Sequence, residues 1–181
     1  MNIWFTSDLH FGHKNILQFE KEHRPFSTLE EMHEVLIQNW NSVVKPKDKI
    51  YVLGDFAFGK HNIPIARRLN GHKRLILGNH DSYPVEKYLP FFEKIYGLKY
   101  WENCILSHAP LHPHCLSGHH ESYGIESPNF LNAHGHLHSR KVMVKTYKDV
   151  EDTRYFNVSV EQNNLTPIHA DVIRQRWGDI S

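Results

Sequence analysis

Cysteine is nearly missing from this chain. Cys104 and Cys115 are the only two in 181 residues, too few for a disulfide framework or a thiolate metal site. Reduced thiols and a cytoplasmic setting are therefore the expectation. Long apolar runs are missing too: none approaches the roughly 18 residues that a membrane span needs, so no membrane partner is expected. Met1-Asn2-Ile3-Trp4-Phe5 lacks a basic region followed by a long apolar one, which argues against a signal peptide. Neither sign of charge is in excess. The formal net charge is +1 and no Lys/Arg block stands out, so strong non-specific nucleic-acid binding is not expected, although a local groove would escape a whole-surface average. Repeats, low-complexity segments and linkers are absent as well. At this length one domain over residues 1–181 is expected, with a core that needs no staples.

Histidine is abundant instead. Sixteen are spread along the chain, which excludes a terminal affinity tag and asks for a chemical reason. The stretch Gly78-Asn79-His80-Asp81 is the natural place to look for one. It leaves the apolar run Arg74-Leu75-Ile76-Leu77 through a glycine turn and offers an amide oxygen, an imidazole and a carboxylate within three residues. Such a set can bind a hard cation, move a proton and orient the proton mover.

The pattern around that stretch predicts strands over Asn2–Ser7, Lys49–Leu53 and Lys73–Leu77. A helix is expected from about 28 to 43: Leu29, Met32, Leu36, Trp40 and Val43 recur at helical spacing behind Ser27-Thr28-Leu29-Glu30, which has the form of a capping box. Further helices are expected over Ile63–Leu69, closed by Asn70-Gly71, and over Pro84–Ile95, where Pro90 threatens the second. After Lys99 the pattern turns to strands at Tyr100–Ser107, Lys141–Tyr147, Arg154–Val160 and Ile168–Ala170, with a last short helix over Asp171–Trp177. A β-α-β-α-β half followed by a mostly β half implies a parallel sheet whose ligands bind outside the carboxyl ends of its strands. Asp8, Asp55 and Asn79 each fall one to three residues past such an end, so three oxygen donors are expected to enter one crevice.

His108 follows the predicted strand Cys104-Ile105-Leu106-Ser107, and His134-Gly135-His136-Leu137-His138 places imidazoles two residues apart, on one side of an extended segment. Asp8, His10, Asp55, Asn79, His108, His136 and His138 together make seven nitrogen and oxygen donors. Imidazole with carboxylate and no thiolate suits manganese, iron, zinc, cobalt or nickel. Seven donors exceed what one ion needs. With one shared carboxylate they suffice for two ions about 3.5–4 Å apart, and Asp55 on the middle strand is the natural bridge.

Asp8-x-His10, Gly54-Asp55, Gly78-Asn79-His80-Asp81, His108 and Gly135-His136-x-His138 resemble, in order and rough spacing, the five blocks of the calcineurin-like metallophosphoesterase family. Arg24-Pro25-Phe26 and Gly54-Asp55-Phe56-Ala57-Phe58 further resemble its small bacterial and phage members. The resemblance implies an α/β fold, a two-sheet β sandwich flanked by helices in the order α/β/β/α. It implies two divalent metal ions, manganese foremost: Asp8, His10 and His138 would hold the first, Asp55 would bridge, and Asn79, His108 and His136 would hold the second. His80 would be the acid that protonates the leaving group, with Asp81 fixing its orientation. The substrate would be a phosphodiester or small nucleotide, with a phosphomonoester, and so a phosphatase, as the alternative. A nuclease or a catalytically silent metal-binding scaffold is the lesser alternative: short length and near-neutral charge argue against an added DNA-contacting domain, and a silent scaffold is expected to have lost donors that are all present here. The resemblance fails at Phe58, where many members carry a polar residue three positions after the bridging carboxylate.

Two residues are candidates for substrate binding, each with a plainer alternative. His13 would touch a substrate phosphate or brace its loop, and Arg24 would bind phosphate or tether a loop. His134 is expected to pack behind the next two histidines. The segment from about 110 to 128, with His112, His114, His119, His120 and Tyr123, is expected to be a surface loop that shapes the entrance.

Overall fold

A computed structural model describes residues 1–116, 130–144 and 150–178. Strands β1 (Ile3–Thr6), β2 (Lys49–Leu53), β3 (His72–Ile76) and β4 (Lys94–Tyr96) run parallel in the order β4-β3-β2-β1. A second sheet is built from β5 (Lys99–Trp101), β6 (Cys104–Leu106), β7 (Leu131–His134) and β8 (Tyr155–Asn157). The first two of these form an antiparallel hairpin and the rest pair in parallel. β9 (Ile168–His169) closes the first sheet antiparallel to β1.

The period of two along each strand explains the layering. A short helix α1 (Ile16–Phe19) and the longer α2 (Leu29–Val43) follow β1; on β2, Ile50 and Val52 face α2 and meet Met32, Leu36 and Trp40, while Tyr51 and Leu53 face the other sheet with Phe5 and Ile76. Cys104 and Leu106 on β6 enter that same inter-sheet core, and Ile105 between them packs outward with Leu116 and Tyr155. Helix α3 (Ala170–Gly178) adds Ala170 and Ile173 to the inter-sheet core. The architecture is thus the expected sandwich of two mixed sheets with flanking helices.

Several local expectations need correction. The cap of α2 is Thr28 rather than Ser27: Thr28 Oγ1 accepts from the Glu31 N–H at 3.1 Å, and the Glu31 carboxylate accepts from the Ser27 N–H at 2.8 Å. The box has moved by one residue because Thr28–Glu31 is an equally good pair. The segment 63–69 belongs to a 3-10 helix, Lys60–Arg68. Pro84–Ile95 is not a helix; it holds a single 3-10 turn, Val85–Lys87, and then β4. Pro90 has no N–H for a helical ladder, while Tyr88 and Phe92 are buried without one. Tyr100–Ser107 is two strands around a turn at Glu102, whose φ is 51°. Of the strand expected over Lys141–Tyr147, Met143 makes an isolated bridge with Glu151, and positions 145–147 lie outside the described residues, as do His119, His120 and Tyr123. Strands β4 and β7 were not expected; each is three or four residues long, too short for a period to register.

Candidate metal centre

Asp8, Asp55 and Asn79 sit two, two and three residues beyond the ends of β1, β2 and β3, at the carboxyl edge of the parallel sheet. The second sheet brings His108 after β6, and His136 and His138 after β7, to the same edge. Two groups of side chains converge there, Asp8 with His10 and His138, and Asp8 with Asp55 and His108, each with candidate donor atoms within 4.8 Å of one another.

In one group, Asp8 Oδ1 lies 3.7 Å from His138 Nε2 and 3.9 Å from His10 Nε2. Asp8 Oδ2 accepts from the hydroxyls of Ser7 (2.6 Å) and Ser159 (2.9 Å), the His136 N–H is shared between Oδ2 (3.0 Å) and Oδ1 (3.1 Å), and Oδ1 is the oxygen nearer the histidine rings. The His138 Nδ1–H donates to Glu161 Oε1 at 2.9 Å, so the lone pair is on Nε2, the atom that faces Asp8. In the other group, the His108 Nδ1–H donates to the Leu53 carbonyl at 2.9 Å, and Nε2 points to Asn79 Oδ1 (2.8 Å), His136 Nδ1 (3.3 Å) and Asp55 Oδ2 (3.4 Å). Asp55 Oδ2 is also 3.5 Å from His10 Nε2, so it stands between the two groups.

These spacings fit a cation. Donors held at roughly 2.1 Å around one ion lie between about 3.0 Å (adjacent) and about 4.2 Å (opposite) from one another. His10 gives the clearest sign: it is 1% exposed, and neither ring nitrogen has a hydrogen-bond partner. A buried polar atom left alone is costly and asks for an explanation. Burial holds His10 well below the ordinary imidazole range, hence neutral, the form that ligates. Burial would raise the Asp55 carboxyl, but the His108 hydrogen bond and charge hold it down at about 2. Against its own burial, that carboxylate raises His108 to about 9. A metal at this place would take over the charge that the His108 proton supplies here.

The backbone is bent to deliver these groups. Asp8, His10, Asp55, His136 and His138 all have φ between 51° and 68°, the left-handed region that residues with a Cβ seldom adopt. Strained residues collect at functional sites, and five of the seven candidate donors are strained. Glycines allow the rest of the approach. A Cβ at Gly78 would lie 2.2 Å from Asp55 Oδ1, and one at Gly135 would lie 2.3 Å from Asp8 Oδ2.

The chain matches the calcineurin-like phosphoesterase family model over residues 1–177. It belongs to the calcineurin-like phosphoesterase family. An uncharacterized protein of Methanocaldococcus jannaschii is 36% identical over 177 residues, covering 94% of this chain and 88% of the relative. The gene 66 protein of Mycobacterium phage L5 is 30% identical over 168 residues, covering 78% and 80%. A crystal structure of a protein of unknown function from Aquifex aeolicus superposes with a TM-score of 0.67 at 27% identity, covering 96% of this chain and 98% of that one. Family membership implies metal-dependent hydrolysis of small phosphoesters. No helix among the described residues is long and apolar enough to cross a membrane.

Two expected roles do not fit the phosphoesterase geometry. Arg24 does not face the cleft. It is 1% exposed, and its guanidinium donates to the carbonyls of Asp8 and Leu9 (3.1 Å for Leu9) and pairs with Glu161 at 2.6 Å. It is a buried tether, the plainer of its two readings. Asp81 does not orient His80. Its Oδ2 accepts from the backbone N–H groups of Asp55 (2.7 Å) and Gly78 (3.0 Å), and its Oδ1 from that of Phe56 (3.1 Å). The carboxylate therefore pins the Asp55 loop against the Gly78 turn. Burial pushes it up to about 6, against the pull of the backbone donors.

His80 stands at the rim with its side chain about one third exposed, its N–H on Asp55 Oδ1 at 2.9 Å and its Nε2 4.0 Å from Asp55 Oδ2. His13 is half-buried beside it, and its Nδ1 has no partner. Both line an open cavity of about 730 Å³ with His10 and His138. His134 is packed away as expected: it is fully buried, its Nδ1–H donates to the Gly135 carbonyl at 2.8 Å, and burial lowers it to about 4.

Sequence reasoning did not find Glu161, whose carboxylate joins Arg24 to His138. Nor did it mark His33, whose Nε2 accepts from the Gly12 N–H at 2.8 Å and so ties α2 to the loop that carries Asp8 and His10. Both lie outside every motif.

Proposed function

We propose that the chain is an active hydrolase of phosphoric esters, working on a phosphodiester or small nucleotide with two divalent metal ions, manganese foremost. Asp8, His10 and His138 would hold one ion, Asn79, His108 and His136 the other, and Asp55 would be shared. Bound there, the ions would lower the pKa of water to make hydroxide available near neutral pH and offset charge on the phosphoryl oxygens. The chain's own residues do the rest. Glu161 and the Leu53 carbonyl keep His138 and His108 in the tautomer whose Nε2 is free. Asp81 holds the Asp55 and Gly78 turns together. His80, the histidine at the rim, donates a proton to the departing alkoxide, a task that suits an imidazole near neutral pH.

The observation that carries this reading is His10, buried with both ring nitrogens unpartnered between two carboxylates. A scaffold without metal would have no use for that cost, and a metal-binding but silent one would have no use for a histidine at the rim beside a cavity. The test is His80→Ala in metal-loaded protein. Turnover of a phosphodiester should fall by a factor of about 10²–10⁴, with both ions still bound by elemental analysis. Full activity in that variant would remove His80 from the mechanism.

A further inference from the structure

Beside the candidate metal centre, four rings form a strip. The His80 ring lies 5.8 Å from Phe58, Phe58 stacks on His13 at 4.6 Å with their planes 19° apart, and His13 meets the edge of Phe19 at 6.1 Å. Phe19, at the end of the short helix Ile16–Phe19, is 69% exposed, and Phe58 is 45% exposed. Exposed apolar side chains scattered singly need no explanation, but a contiguous apolar surface beside a site does. These two line the same 730 Å³ cavity as His10, His80 and His138.

The strip is not loose. The Phe58 N–H donates to the Phe11 carbonyl at 2.8 Å, and the Phe58 carbonyl accepts from Asn62 Nδ2 at 2.6 Å. The ring is therefore set by the same backbone that delivers Asp55 and His10. Ser139 and Arg140 line the same cavity, and the Arg140 guanidinium has no ion-pair partner among the described residues. The lining thus offers both flat π-faces and a cation.

We propose that this strip binds a flat aromatic ring carried on the leaving-group side of the phosphoester. The inference rests on the reading of His80 as the group that faces the leaving oxygen, because the strip begins at His80 and runs outward from it. A ring stacks on aromatic faces with little regard to its substituents, and Arg140 in the same lining suits the negative charge of the ester. An alkyl chain would gain less here, since two of the four rings are imidazoles.

The test separates binding from turnover. Non-hydrolysable phosphonate analogues would be titrated calorimetrically into metal-loaded protein: a nucleoside ester, its abasic counterpart, a benzyl ester and a methyl ester. Ring-bearing ligands should bind about tenfold more tightly than their ringless partners. In Phe58→Ala that ratio should collapse towards one, and in Phe58→Tyr it should persist. Phe19→Ala should lower it less. Preference for the nucleoside alone would assign the strip to a nucleobase, and preference for both would assign it to any ring. Equal affinity with and without a ring in the native protein would overturn the proposal, as would an equal loss on both in Phe58→Ala. Turnover of the matching phosphodiesters is measured apart. A ring preference without turnover would sink the hydrolase reading and leave the strip, while turnover without a preference would sink the strip alone.

Discussion

The two groups of candidate ligands are supported in different ways. Asp8, His10 and His138 are held from behind by charge: the buried Arg24–Glu161 pair grips the Asp8 and Leu9 carbonyls on one side and the His138 ring on the other. Asp55, Asn79, His108 and His136 are held by backbone. His108 leans on the Leu53 carbonyl, and Asp81 reaches the Asp55 loop through its N–H groups. The first group is the more deeply buried and depends on a remote ion pair. The second is open, with His136 exposed, and depends on loops adjacent to it. Partners of a ligating histidine fix its tautomer and direction, so damage to the two supports should have separable effects.

The largest effect is expected at the ion pair. Arg24→Met leaves the Glu161 carboxylate buried without its cation, where both side chains are fully buried. A stability loss of about 3–5 kcal/mol should follow, read by urea unfolding of metal-free protein. A loss below about 1 kcal/mol would mean that the first group does not depend on charge as described.

Next comes a pH effect on the strand that delivers His136. His134 is buried and neutral there, its pKa lowered by burial from an ordinary 6.5 to about 4. The unfolded chain takes up the proton first, so the contribution of His134 is complete above about pH 6.5 and is lost as pH falls towards 4. The loss amounts to about 3 kcal/mol. Unfolding curves between those limits should flatten in His134→Leu; an unchanged slope would show that other groups govern this range.

The smallest effect sharpens the comparison most. Glu161→Gln keeps the shape but weakens the grip on the His138 Nδ1–H. One of two metal affinities should fall by about 10–100-fold and the other should stay, as resolved by stepwise calorimetric titration. Equal weakening of both would merge the two groups into one unit.

Much of the site could be read along the chain. Asp8, Asp55 and Asn79 were placed by strand ends, and strand ends follow from apolar runs and glycine turns. His108 is legible in the same way beside β6, and His136 and His138 by their two-residue spacing rather than by a strand end. The roles of Arg24 and Asp81 were harder. Each is a polar residue near a motif, and such a residue can turn to solvent, substrate or backbone with the same local sequence. Asp81 was assigned to its neighbour in sequence, His80, whereas its partners Asp55 and Phe56 are 26 and 25 residues away. Pro84–Ile95 fails for a related reason: the spacing of Tyr88 and Phe92 suits a helix, but both are buried from the turns that precede β4.

By itself the sequence determined the chemistry on offer, a surplus of imidazole and carboxylate without thiolate, and the strand and helix periods that lead those groups to one edge of a sheet. These are local properties, set by side-chain type and by spacing over a few residues. Only the tertiary structure decided what stands behind the donors. Arg24 and Glu161 are 137 residues apart, and nothing local to either announces the other. Burial is what makes them a pair, because a carboxylate taken out of water must find a cation, and which one it finds depends on how the two halves of the chain pack.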